Sequence, residues 1–364
     1  MCFIEYFLSA SHAQGTCAYL TLSGTTLTKT SSLAIGGTAD TYQINVVGLT
    51  ASTAAVCHSD TDQGYELKCN VLTLSGSSFS AGSDLVVGPA SVHHPSMAST
   101  STTGAALCYF HDGSHGSLRC RILPVSGTGL CSGASNPTVD LCPDFVEIGS
   151  WASARLPSVG PGLAVSAPST GVVCYQYEEE DCPQDAAVTG AVCTYDFFGK
   201  CQALTVTDGG SEFVLSGAAT FVTSAVGGDP IAVGLSSAER GLACYNDVAN
   251  QRGVCSELSL GGTEGSGLAL EGSPSVFNAN QAVSIAITPL GAAHALVSFG
   301  DGRFGITSMH GPGTVSLYAL EVAGSSGGGG GGSGEAQGVA RLTIESGGLV
   351  EIRSGGVLNV GATV

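Results

Sequence analysis

Val56-Cys57-His58-Ser59-Asp60, then Thr61-Asp62-Gln63-Gly64, then Cys69-Asn-Val-Leu-Thr-Leu74: this stretch decides the fold. In the closing arm Leu72 and Leu74 fall two residues apart with a polar residue between them, the period of a half-buried β-strand. The opening arm is rich in β-branched and aromatic residues in its other copies, which also favours a strand. Asp and Gly between the arms supply turn chemistry. The stretch therefore reads as a β-hairpin with one Cys on each arm, and opposed residues of an antiparallel pair lie close enough for a disulfide.

The hairpin recurs. Its copies are Cys2-Phe-Ile-Glu5 with Cys17-Ala-Tyr-Leu-Thr-Leu22, Leu107-Cys108-Tyr-Phe-His-Asp112 with Cys120-Arg-Ile-Leu-Pro-Val125, Val173-Cys174-Tyr175 with Cys201-Gln-Ala-Leu-Thr-Val206, and Ala243-Cys244-Tyr-Asn-Asp247 with Cys255-Ser-Glu-Leu-Ser-Leu260. A sixth copy has Ser298 and Leu317 in the two Cys positions. Both cysteines are missing together, as expected if each needs the other. The first Cys, or its replacement, stands at 2, 57, 108, 174, 244 and 298, in steps of 55, 51, 66, 70 and 54. The two long steps each hold an extra Cys pair, Cys131 with Cys142 and Cys182 with Cys193. The period is about 50 residues, the size of a four-stranded blade.

Six units of this length resemble a β-propeller with six blades, and the resemblance is one of architecture. The expected fold is all-β: about six four-stranded blades over residues 1–324, a Gly/Ser-rich linker over 325–339, and a short β-rich tail over 340–364. Tandem β-sandwiches are the alternative, although their units run nearer 100 residues. The first unit lacks an opening strand and the sixth lacks a last one. The tail reads as a strand that closes the ring, as a separate stalk, or as disorder. Met1 to Ala13 reads as a first repeat entered partway through, which would make the chain a fragment of a longer secreted protein, or as a signal peptide.

Composition narrows the partners. Net charge is −18 and Lys plus Arg number 11, so no basic patch for nucleic acid is visible. There is no run of 18 apolar residues for a membrane span. Fourteen cysteines with no Cys-x2-Cys pair fit disulfides better than zinc. The spacing pairs Cys2–Cys17, Cys57–Cys69, Cys108–Cys120, Cys131–Cys142, Cys174–Cys201, Cys182–Cys193 and Cys244–Cys255. Seven disulfides imply an oxidising compartment, hence a secreted or surface-displayed protein.

Candidate functional residues lie where the repeats differ. Trp151 and Arg155, beyond the Cys131–Cys142 insertion, suit sugar stacking or an interface. Glu178, Glu179, Glu180 and Asp181 form an acidic run in a long stapled loop. Asp60 and Asp62 have the look of a calcium loop, since carboxylates suit that hard ion. His111, Asp112 and His115, with His58 and His93-His94 upstream, offer imidazoles from adjacent loops to a metal. Against the calcium reading, an acidic residue recurs at five of the six hairpins (Glu5, Asp60, Asp112, Asp247, Asp301), as a turn-starting residue would. No nucleophile elbow, zincin helix or phosphate loop is present. The expected function is a binding or attachment module for a protein or glycan surface ligand, with either no cofactor or calcium at the Asp60 loop. The alternative is a glycan-active enzyme on the same scaffold.

Overall fold

The computed structural model describes residues 2–6, 13–23, 26–36, 41–88, 90–112, 116–131, 146–150, 160–166, 170–181, 194–207, 212–222, 231–247, 249–261, 268–280, 282–289, 294–301, 315–321, 340–344, 351–352 and 358–359. Every regular element among them is a strand. The fold is all-β, built from successive antiparallel meanders of the propeller-blade type.

The first sheet is β1 (Cys2–Tyr6), β2 (Ala13–Ser23) and β3 (Thr26–Ile35) in that order. The second is β4 (Thr41–Gly48), β5 (Thr53–Asp60), β6 (Glu66–Ser75) and β7 (Ser78–Ala81), with β8 (Leu85–Gly88) also on β6. The third is β9 (Val92–Ser101), β10 (Gly104–His111), β11 (Ser117–Ser126) and β12 (Gly129–Leu130), with β13 (Val146–Ser150) also on β11. The fourth is β14 (Gly162–Ser166), β15 (Thr170–Asp181), β16 (Thr194–Thr207) and β17 (Glu212–Val222). The fifth is β18 (Ala232–Leu235), β19 (Arg240–Asp247), β20 (Arg252–Leu260) and β21 (Leu268–Asn278). The sixth is β22 (Ala282–Pro289), β23 (His294–Asp301), β24 (Val315–Glu321) and β25 (Ala340–Ile344). A short pair, β26 (Glu351–Ile352) and β27 (Leu358–Asn359), follows.

The fourth strand of the sixth sheet thus comes from beyond the glycine run: Leu317 pairs Leu342 and Ala319 pairs Ala340. By backbone contact the chain divides into two compact units, Met1–Val173 with Gln202–Ser216, and Cys174–Cys201 with Gly217–Val364.

The Cys hairpins are in register. Cys57 faces Cys69, Cys108 faces Cys120 and Cys244 faces Cys255 on adjoining strands. Disulfides join these three pairs and Cys174–Cys201, with Cα atoms 4.0–4.1 Å apart. That separation is near the roughly 4.5 Å of a non-hydrogen-bonded pair, well short of the 5.5 Å of a hydrogen-bonded one. Cys2 is likewise in register with Cys17, and Cys17 and Cys131 are disulfide-bonded too. Cys142, Cys182 and Cys193 lie outside the described residues.

Period two in the closing arm predicts a half-buried strand, and the end of β20 keeps it: Leu258 and Leu260 are buried while Glu257 and Ser259 between them are half-buried. The opening arm is more enclosed, β10 being buried along all but its last residue. The reason is stacking of sheet on sheet. One core joins the second and third sheets through Leu67, Val71, Met97, Leu107, Tyr109 and Leu123. Another joins the first and second through Cys17, Ile35, Val56 and Leu72. A third joins the fifth and sixth, where Phe277 meets Phe299 edge-on with ring centroids 4.9 Å apart.

In the third sheet β12, ending at Leu130, and β13, starting at Val146, both pair with β11. The second insertion follows the hairpin arm β15 of the fourth sheet.

Candidate functional site

The first strands of the second and third sheets carry the same irregularity. On β4 the register to β5 shifts between Tyr42 and Ile44, leaving Gln43 as an extra residue. On β9 the shift falls between His93 and Ser96, at His94. A bulge leaves a residue unpaired and re-aims its side chain, and bulges concentrate beside functional sites. Both bulged residues have left-handed backbones, with φ 54° at each.

Their side chains find each other. The Gln43 amide nitrogen donates to His94 Nδ1, and the His94 backbone N–H donates to Gln43 Oε1. Gly160, just before β14, closes over this pair. A Cβ at Gly160 would lie 2.7 Å from His94 Cβ and 3.2 Å from its carbonyl oxygen, so only glycine fits there.

The hairpin turns continue the feature. Tyr65 and Ser91 also have left-handed backbones, φ 63° and 50°, so four of the six such non-glycine residues among those described gather here. The turns are tied by backbone bonds: Ser91 N–H to Gly64 O, Val92 N–H to Tyr65 O, and Asp112 N–H to Ser91 O. Tyr65 is exposed and its ring lies 4.7 Å from that of His93. A left-handed non-glycine backbone is strained, and strain of this kind clusters at ligand sites.

Charge at this rim is muted. Burial, with His93 beside it, pushes His94 down to about 4. Burial also lowers His93, against the opposing pull of Asp112. Both imidazoles are neutral at neutral pH, each offering one donor and one acceptor. With the Gln43 amide and the Tyr65 phenol they form a set of uncharged polar groups around an aromatic face.

The other sequence candidates fall elsewhere. Asp60 is buried; its carboxylate accepts from Lys68 Nζ at 2.6 Å and from the Asp62 backbone N–H at 3.1 Å. Lys68 also reaches Glu66 at 3.3 Å. Burial disfavours the Lys68 charge, but its bonds to Asp60 and Glu66 outweigh this and raise it. This is a turn anchor, and Asp247 repeats it, accepting from the Asn250 backbone and amide and from Arg252. Among the described residues no three His, Cys, Asp or Glu side chains are arranged to hold a metal ion. His111 is half-buried at the end of β10, and Asp112 is exposed just past it. His115, Trp151 and Arg155 lie outside the described residues.

Two expectations need correction. The acidic run Glu178-Glu179-Glu180-Asp181 is the end of strand β15, where a loop is expected; this hairpin arm is 12 residues long against 8 in the second, third and fifth sheets. The histidines are expected on exposed loops, yet His58 is fully buried on β5 and His94 is half-buried on β9. Sequence reading passed over Gln43 and Tyr65 altogether. The signal was faint: Gln43 interrupts the alternation of Thr41-Tyr-Gln-Ile-Asn-Val-Val, as a bulge does.

No family model matches the sequence, and no curated protein matches it. Among solved structures, the chain is similar to a GH93 α-L-arabinofuranosidase of Fusarium graminearum in complex with arabinobiose, with TM-score 0.49, 13% identity, and 85% of this chain and 89% of that one covered. It is similar also to a protein of unknown function from Dyadobacter fermentans (TM-score 0.46, 9% identity, 85% and 84% covered). A third is a triple-arginine mutant of AofleA from Arthrobotrys oligospora (TM-score 0.42, 9% identity, 85% and 76% covered). Similarities at this level assign no activity to this chain.

Proposed function

We propose that the chain is a secreted or surface-displayed binding module that takes an uncharged, hydroxyl-rich ligand, a glycan, at the rim formed by Gln43, Tyr65, His93 and His94. The observation that carries this reading is the Gln43–His94 pair, two bulged residues of β4 and β9 bonded to each other, next to His93, whose half-buried ring meets the exposed Tyr65 ring. Neutral donors and acceptors suit sugar hydroxyls, and a tyrosine face suits the apolar side of a pyranose or furanose. An anionic ligand is disfavoured by Asp112 facing His93 and by the net charge of −18. The disulfides agree with an oxidising compartment.

Binding is preferred to hydrolysis because the carboxylates of the second sheet's turn are engaged: Asp60 and Glu66 both pair with Lys68. A glycosidase needs two carboxylates set across the scissile bond. A glycan array, run beside a panel of chromogenic glycosides, tests the reading. Binding to a neutral glycan should weaken about tenfold or more in Tyr65→Ala, roughly the contribution of one aromatic contact. Turnover of a glycoside that disappears on replacing one carboxylate would overturn it in favour of an enzyme.

A further inference from the structure

The residue after the first Cys of each hairpin is Tyr109, Tyr175 and Tyr245 in the third, fourth and fifth sheets, and Phe299 takes the matching place in the sixth. All four are buried. In the second sheet the residue is His58, fully buried, and neither ring nitrogen has a hydrogen-bond partner. An imidazole has replaced a core aromatic with no bond to compensate. Leaving such a group unsatisfied sacrifices its hydration with no bond in return, so it is a poor choice for packing alone.

Its surroundings locate what it controls. Val56, two residues earlier on the same face of β5, packs with Cys17 and Ile35 of the first sheet. At the end of β3, Gly36 (φ +83°) leaves room for the ring: a Cβ there would stand 3.2 Å from His58 Nε2. His58 therefore sits where the second sheet meets the first. We propose that His58 is an acid-sensitive packing residue at this junction, whose protonation loosens the first sheet from the second.

The titratable and charged groups that face it among the described residues are Asp84, Asp60 and Lys68. Asp60 is held by Lys68, and Asp84 accepts from Asn70 Nδ2 at 2.7 Å. Thr41 and Ile44 of β4 and Gly36 carry no charge. Burial is the dominant influence on His58 and lowers its pKa, the two carboxylates opposing and Lys68 assisting. The sign follows. The unfolded chain binds a proton below about pH 6.5 while the folded one resists it. Stability is complete above that pH and falls as the pH drops towards the depressed folded value.

The test is unfolding of the whole chain between pH 7.5 and 5, compared with His58→Phe, which restores the aromatic of the other hairpins, and His58→Leu in case the larger ring disturbs folding. The wild-type unfolding constant should rise by up to about tenfold per pH unit below 6.5 through this one group. Both variants should lose that component and keep the smaller responses of the other histidines. Hydrogen exchange at the β5 amides should quicken at pH 5, relative to β19, in the wild type alone. Identical pH slopes in wild type and a folded variant would overturn the proposal. So would an NMR titration of the wild-type His58 ring giving a value at or above about 6.5, and that measurement needs no variant. None of these readouts involves a ligand, so the result stands apart from the binding reading.

Discussion

In the fifth sheet the first strand β18 reads Ala-Val-Gly-Leu, pairs β19 without a register shift and is buried throughout. In the second sheet the first strand β4 is bulged at Gln43 and half-buried over most of its length. The hairpins behind them diverge in step. Tyr245 is buried with Ser256 as its hydrogen-bond partner, and burial raises its phenol. His58 is buried with none. The same stapled hairpin therefore serves as closed scaffold in one sheet and supports an irregular, polar rim in another. The difference lies in two or three residues around the staple, since the staple itself is common to both.

The largest expected effect tests that shared part. Reducing either staple by a double Cys→Ser change, Cys57 with Cys69 or Cys244 with Cys255, should cost about 3 kcal/mol in the chain-entropy model. The two costs should be nearly equal, because the sequence separations are 12 and 11. Urea unfolding measures both; a large inequality would mean the sheets do not share one scaffold logic.

Gly160→Ala comes next. The new methyl would press on the His94 backbone, so a loss of about 1–3 kcal/mol is expected from overpacking. A fully stable Gly160→Ala with unchanged His94 chemical shifts would show slack in the rim.

Asp247→Ala should cost about 1.5 kcal/mol by removing charge-assisted bonds to Asn250 and Arg252. Burial opposes ionisation of Asp247, yet these bonds win and lower its pKa. Its contribution is complete above the unfolded value of about 3.9 and is lost as pH falls through the depressed folded value. The variant should therefore show a shallower acid limb below pH 4 and an unchanged response near pH 6. That places the fifth sheet's titration in a different window from the second's. An unaltered limb below pH 4 would remove Asp247 from the account.

The smallest effect on stability belongs to Tyr65→Ala. The side chain is exposed, so a change within about 0.5 kcal/mol is expected. Thermal unfolding unaffected while glycan binding falls would separate rim from scaffold; a substantial destabilisation would make Tyr65 a packing residue.

Much of the scaffold was legible because it repeats. Period-two alternation, turn residues and paired cysteines are local signals, and each appears five or six times. The joint loss at Ser298 and Leu317 agrees with their direct opposition across β23 and β24. The rim was not legible for the opposite reason. Gln43 and His94 are 51 residues apart and occur once each in this arrangement, so no repetition marks them. A His beside a turn reads as exposed, whereas His58 is buried where Gly36 at the end of β3 lies against its ring. The acidic run Glu178–Asp181 reads as a loop from its place beside the Cys182–Cys193 insertion, while strand β15 extends through it.

By itself the sequence determined the strands, the hairpin register and the oxidising chemistry, since these depend on residues near in the chain or on a recurring pattern. Tertiary structure alone decided which faces are buried, which strand completes the sixth sheet, and which side chains of neighbouring sheets meet. Those outcomes depend on contacts between sheets, where β-sheet stacking brings together residues that no local rule connects.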